Sequence, residues 1–293
     1  MYSSDDDSSD GGRSATIGPE LPTRQNANDV VMKGKKCEFK AYRHMKKKDG
    51  TTSVHVTEEP FKQLRSINEK DSGFALIINR FLDEKNVLQK STLRINSFWI
   101  LKVLQEVVVS YPGISSDFKT PFELDSPYQM LLHSWEKLEE RRSTTNDPDE
   151  RMHLNLLFEF LDREIGEQRE SLLEMIRQNH ITFSTAWFLY RPGTLLYSEF
   201  KGYPRLFRCK SSFYEANGTM GPYLDINCTF TDHDGEKSGE AASQFTLYQK
   251  QLFAGDQASP ITKLPVFPLS ATGTDEEFLD RLRKRVFERG FRV

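Results

Sequence analysis

Cysteine is scarce in this chain. Only Cys37, Cys209 and Cys228 are present, far apart and with no CxxC pair, so neither a disulfide scaffold nor a thiolate zinc site is signalled, and reduced, packed thiols are expected. An imbalance of charge is also missing. Forty basic side chains face 43 acidic ones, a formal net charge of -3, and no overall field draws the chain to nucleic acid or to an anionic membrane. No apolar run approaches the ~20 residues of a membrane-spanning helix. The opening MYSSDDDSSD is acidic and polar, opposite in character to a secretory or mitochondrial leader, and an intracellular location in cytoplasm or nucleus is expected. The acceptor patterns at Asn217 and Asn227 would matter only in a secreted chain.

Signatures of chemistry are missing too. A P-loop needs a glycine-rich turn ending in GK[ST], whose backbone amides cradle phosphates, and GEKSG at 235–239 lacks that frame. There is no GxSxG to lift a serine nucleophile and no HExxH to hold zinc. The six histidines, at 44, 55, 133, 153, 180 and 233, never recur at the spacing that puts two rings on one helical face. DHDG at 232–235 has carboxylates and an imidazole in one turn but not the alternating acids of a calcium loop, so a tight turn is expected there. His133 and His153 fall in helical segments and are expected to be ordinary packed histidines. No catalytic residue, cofactor or metal ligand is therefore nominated, and the chain is expected not to be an enzyme.

What is present sorts into three textures. Residues 1–30 are rich in Ser, Asp, Gly, Asn and Pro and read as a disordered acidic tail. Residues 33–50, KGKKCEFKAYRHMKKKDG, carry Lys33, Lys35, Lys36, Lys40, Arg43, Lys46, Lys47 and Lys48. They form either a surface strand, a lysine-rich loop and an Asp49-Gly50 turn, or a patch in which Lys46, Lys47 and Lys48 contact a polyanion. GFALIINRF (73–81) has the length of a buried strand, with STLRI as its neighbour. Helices are expected from Ser97 to Pro112-Gly113, from Ser126-Pro127 and from Asp147-Pro148, the last with Leu154, Leu157, Phe158, Leu161 and Ile165 in register.

From about residue 183 short aromatic-rich runs alternate with Gly, Pro and Asp-Gly, and predict a meander of antiparallel strands whose best hairpin turn is Asp234-Gly235. A closing helix over 274–290 starts at Thr274 with Glu277 completing a capping box and stops at Gly290. The expected fold is α+β: an antiparallel sheet with a helical layer, as one domain over 31–293, comprising strands and helices to 180, a β-rich part over 181–272 and a connecting helix.

Several stretches together, LRINSFWILKVLQEVVVSYPG, AWFLYRPGTLLYS, CTFTDHDG, LYQKQLFAGDQASPITKLPVFPL and FLDRLRKRVFERGFRV, resemble the domain that precedes the ATPase core in a group of fungal AAA+ proteins. The likeness runs from about residue 33 to the end. It is most specific over Trp187 to Gly193, over Cys228 to Gly235, and at Phe253, Gly255, Ile261 and Leu264. It implies that Trp187, Pro192, Gly193, Asp234, Gly235, Phe253 and Gly255 are structural residues of that domain and that the last helix leads toward an ATPase module absent here. The function it implies is a non-catalytic module that recruits a protein partner or substrate for an AAA+ motor, with ATP chemistry only in longer relatives. The alternative is a stand-alone polyanion binder, of nucleic acid or phospholipid, acting through residues 33–48, with nucleic acid the lesser expectation. A third, an unrecognised enzyme, would show a deep pocket of convergent polar groups.

Overall fold

The computed structural model describes residues 33–47, 51–56, 69–108, 110–115, 117–200, 203–216, 220–233, 236–254 and 257–273, with residues 280, 282 and 284. The acidic segment 1–30 and most of the expected closing helix lie outside the described residues. Asp280, Leu282 and Lys284 are helical, and Leu282 is buried.

The fold is α+β, built on two five-stranded sheets. The first comprises β1 (Lys36–Lys46), β2 (Thr52–Val56), β3 (Phe74–Leu82), β4 (Leu88–Ile95) and β5 (Phe122–Asp125), in the order β2-β1-β3-β4-β5. The apolar run at 73–81 is the central strand β3. Ala75, Leu76, Ile77, Ile78 and Asn79 are all buried, so this strand is covered on both faces, which is why its apolar residues do not alternate. STLRI is its antiparallel neighbour β4, as expected. One pairing departs from the expected meander: β1 and β3 run parallel, Ala41 against Ile78. β2 runs antiparallel to β1, and β3, on the other side of β1, runs opposite to β2, so β1 and β3 point the same way.

Helices α1 (Phe98–Val107), α2 (Gln129–His133), α3 (Trp135–Thr144) and α4 (Pro148–Arg177) cover one face of this sheet. Arg80 of β3 pairs with Glu164 of α4, and the Arg163 guanidinium lies 4.5 Å from the Phe39 ring centroid. The caps follow the sequence signals. The Ser97 hydroxyl accepts from the Ile100 amide, and the Asp147 carboxylate accepts from Asp149 and Glu150 with Pro148 in the first turn. Leu154, Leu157, Phe158, Leu161 and Ile165 are all buried; each such side chain contributes roughly 1.5–3 kcal/mol when fully buried.

Two helix boundaries differ from expectation. α1 ends at Val107, short of Pro112-Gly113, with the Val108 amide donating to the Leu104 carbonyl as its cap, and Tyr111 instead bridges Ile114. The second helix begins not at Pro127 but at Gln129, after a left-handed Tyr128, and is interrupted at Ser134. Tyr128 is almost fully buried, its hydroxyl 3.0 Å from Ser91 Oγ and its ring against Phe160, and that packing decides the local backbone.

After α4 come a short strand β6 (His180–Ile181) and a 3-10 helix, Phe183–Leu189. AWFLY is therefore not a strand: Phe183, Ala186, Trp187 and Leu189 bury at steps of one to three, a helical rather than an alternating pattern. The second sheet, β7 (Leu195–Phe200), β8 (Tyr203–Ala216), β9 (Pro222–His233) and β10 (Ser238–Tyr248), is the expected antiparallel meander; a later strand, β12 (Phe267–Pro268), pairs with β7. Before it come α5 (Gln249–Leu252) and β11 (Ser259–Pro260), which pairs with β6. ITKLPVFPL, expected as a strand, is mostly a 3-10 turn at Ile261–Lys263, leaving only the two residues of β12. One connected cluster of buried side chains extends from Ala41 through the helices to Phe267.

Candidate functional site

Strand alternation divides the second sheet into an inner and an outer face. Leu196, Phe207, Cys209, Leu224, Ile226, Cys228 and Leu247 point inward and are buried. The other set lines the outer face of β8, β9 and β10 in cross-strand rows: Phe213–Asp225–Thr246, Ser211–Asn227–Gln244 and Glu215–Tyr223–Tyr248. A one-residue bulge between Cys209 and Ser211 re-aims the strand so that Phe213, not Tyr214, joins this face.

The rows are tied together by hydrogen bonds. Thr246 Oγ1 donates to Asp225 Oδ1 at 2.6 Å and Gln244 Nε2 to Oδ2 at 2.9 Å. Asn227 Nδ2 donates to Ser211 Oγ at 3.1 Å, and Thr229 Oγ1 to Glu240 Oε1 at 2.6 Å. Asp225 is thereby held at a fixed place, only 8% exposed, while its row neighbour Phe213 is 42% exposed. Tyr223 and Tyr248 lie with ring centroids 5.5 Å apart at one end of the face. An ordered polar floor bearing exposed rings suits recognition by contact.

Beneath the sheet, the turn after the 3-10 helix locks the core. Gly193 has φ +87°, in the left-handed region, and exchanges backbone hydrogen bonds with β8 through Gly193 N to Cys209 O (2.8 Å) and Cys209 N to Thr194 O (2.9 Å). Pro192 precedes it. Tyr190 is fully buried, with its hydroxyl donating to the Val266 carbonyl at 2.9 Å, and burial holds its phenol protonated. Trp187 and Phe188 pack their rings against His133, and Arg191 Nη1 donates to the His133 carbonyl at 3.1 Å, at the C-terminus of α2.

Burial, reinforced by the Arg191 charge, lowers the His133 pKa to about 4, and its Nδ1 lies 2.9 Å from the Tyr111 hydroxyl. His153 is also held neutral, mainly by burial; it stacks on Trp99 and its Nδ1 lies 2.9 Å from Ser97 Oγ. Cys209 and Cys228 sit opposite one another on β8 and β9, and burial pushes both thiols up to about 12. Among the described residues no group of three or more His, Cys, Asp or Glu is placed to hold a metal ion.

Of Trp187, Pro192, Gly193 and Phe253, singled out in the sequence, Phe253 is buried 5.5 Å from Phe183 of the 3-10 helix that carries Trp187, and Pro192 and Gly193 follow that helix in the turn to β7. Asp234, Gly235 and Gly255 lie outside the described residues, although β9 and β10 are joined across the first two in an antiparallel pair. In the basic segment, Lys36 pairs with Glu38 at 2.6 Å and Lys40 with Asp71 at 2.8 Å, both ammonium groups lying over Phe74. Lys46 and Lys47 are exposed at the end of β1; Lys48 is outside the described residues. The outer-face set of Phe213, Asp225, Tyr223 and Tyr248 was missed. The signal available was strand alternation alone, which does not distinguish a binding face from a solvated one.

This sheet and the 3-10 helix under it coincide with a known sequence family. Residues 171–272 match the model of a domain of unknown function (DUF7025). The match covers about a third of the chain, and its description assigns no activity and no connection to AAA+ proteins. Its first residues fall within α4, and the outer face, the Gly193 turn and Phe253 all lie inside it. No curated protein and no solved structure matches the chain. Among the described residues no helix is long and apolar enough to cross a membrane.

Proposed function

We propose that this chain is a non-catalytic binding module that holds a protein partner on the outer face of β8, β9 and β10. The observation that carries the reading is the exposed Phe213 ring beside an Asp225 carboxylate held by Thr246 and Gln244, with the Tyr223–Tyr248 pair at the next row. Aromatic side chains give large contact area at little cost in conformational entropy, and fixed polar groups beside them set the partner's register. The resemblance to domains that precede an AAA+ core extends the reading: the partner is a substrate or adaptor presented to an ATPase motor, and nucleotide chemistry belongs to longer relatives.

A photo-crosslinking amino acid at position 213 would identify the partner in cells. Phe213→Ala with Tyr223→Ala is then expected to weaken binding of that partner by roughly tenfold or more, with the thermal midpoint little changed. Equal affinity for the variant, or ATP hydrolysis by the purified chain at motor-like rates, would remove the proposal.

The exposure of Lys46 and Lys47 favours a second reading, a polyanion contact at the end of β1. Changing Lys46, Lys47 and Lys48 to Glu is expected to move elution from heparin to distinctly lower salt, because each lost phosphate or sulfate contact reduces counterion release. Unaltered elution counts against it.

A further inference from the structure

The second sheet ends in an edge that is unlike the others. β12 is two residues long and contains Pro268, β5 has four residues and β2 five, whereas β10 runs for eleven. Its pairing with β9 is unbroken from Ser238–His233 to Tyr248–Tyr223, with no bulge, and among the described residues no strand pairs with its other side. The strand has no proline and a single charge, Glu240. Gly239, Glu240, Ala242 and Gln244 are exposed, and a Cβ added at Gly239 would meet nothing within 4 Å. Long edges are normally blunted by lysine, proline or a bulge, because their free N–H and C=O groups accept another strand.

What that strand is can be read from the order of side-chain sizes. The first half of β10, SGEAAS, is small apart from Glu240; the second, QFTLY, is mostly large. We propose that two copies of this chain pair through β10, antiparallel, about a two-fold axis at Ser243, joining two five-stranded sheets into one of ten. In that register Ala241 faces Phe245 of the other copy, Gly239 faces Leu247, Ala242 faces Gln244 and Glu240 faces Thr246, so Phe245, Leu247 and Gln244 each meet a smaller residue. Glu236 and Lys250, which flank the strand, come to the same end with opposite charge. The parallel arrangement would instead stack Phe245 on Phe245 and Glu240 beside Glu240. The antiparallel pair is isologous and closes on itself, which gives a dimer and not a fibre.

Sedimentation of the full chain over a range of concentrations tests this, with two variants on the exposed face. The native chain is expected to reach twice the 33.9 kDa monomer mass. Ala242→Lys with Gln244→Lys sets two pairs of lysines face to face and is expected to weaken the dimer by about tenfold or more. Gln244→Lys alone leaves each lysine facing Ala242 and beside its own Asp225 carboxylate, and is expected to keep it. Circular dichroism establishes that each variant is folded. A chain that stays monomeric, a dimer indifferent to the double lysine, or equal loss in both variants would overturn the proposal.

Discussion

Replacing Arg141 with methionine is expected to cost about 3 kcal/mol of folding stability near neutral pH. Its guanidinium grips Glu150 through Nε at 2.7 Å from Oε1 and Nη2 at 3.3 Å from Oε2, and the Glu150 side chain is only 1% exposed. Burial pulls this carboxyl up, but the hydrogen bonds from Arg141 and Thr145, with the Arg141 and Lys102 charges, hold it below its usual range. In the native chain the pair therefore contributes stability above the unfolded carboxylate pKa and loses it as the pH falls through the lower, folded value. Without Arg141, burial is opposed only by the Thr145 hydrogen bond and the Lys102 charge, and the carboxyl is expected to rise. The deficit is then largest at neutral pH and shrinks as acid protonates Glu150. Urea unfolding near neutrality and in mild acid gives the comparison. Arg141→Met with Glu150→Leu is expected to recover most of the loss, since an apolar pair leaves no buried charge. A loss below roughly 1 kcal/mol in the single variant would mean that the pair behaves as an exposed one.

Acid is the second large effect. His133 drops from an ordinary 6.5 to about 4, through burial first and the Arg191 charge second. Between those values the unfolded chain binds a proton that the folded chain does not, so stability falls as pH falls through this window. The cost is on the order of 3 kcal/mol by the low end, at about 1.4 kcal/mol per pKa unit. His153, lowered mainly by burial, acts in the same direction. Chemical unfolding followed from neutral pH into acid should show the slope, and His133→Gln, which hydrogen-bonds but does not titrate there, should flatten it. An identical slope in the variant would place the acid sensitivity elsewhere.

The helices were the most legible part of the chain because their signals are local. Ser97 and Asp147 each complete their caps within three residues, and the stripe from Leu154 to Ile165 has one period throughout. Legibility failed where distant contacts set the backbone. Tyr128 is left-handed because its ring and hydroxyl are held by Phe160 and Ser91, far off in sequence. AWFLY looked like a strand because Trp, Phe, Leu and Tyr favour strands, yet Trp187 and Phe188 bury against His133 and turn the segment helical. The parallel β1–β3 pair was beyond reach, since nothing in either strand records its partner's direction. The outer face was hidden for another reason: the bulge after Cys209 shifts the alternation by one, and only the register with β9 reveals that Phe213 stands beside Asp225.

The family match begins at residue 171, well inside α4, and the residues it encloses rest on ones it does not. Trp187 and Phe188 lean on His133, whose carbonyl is held by Arg191. A gene fragment limited to the matched stretch would thus transplant a sheet without its seat. For that stretch to fold by itself, α4 and the short helix bearing His133 are expected to be needed with it.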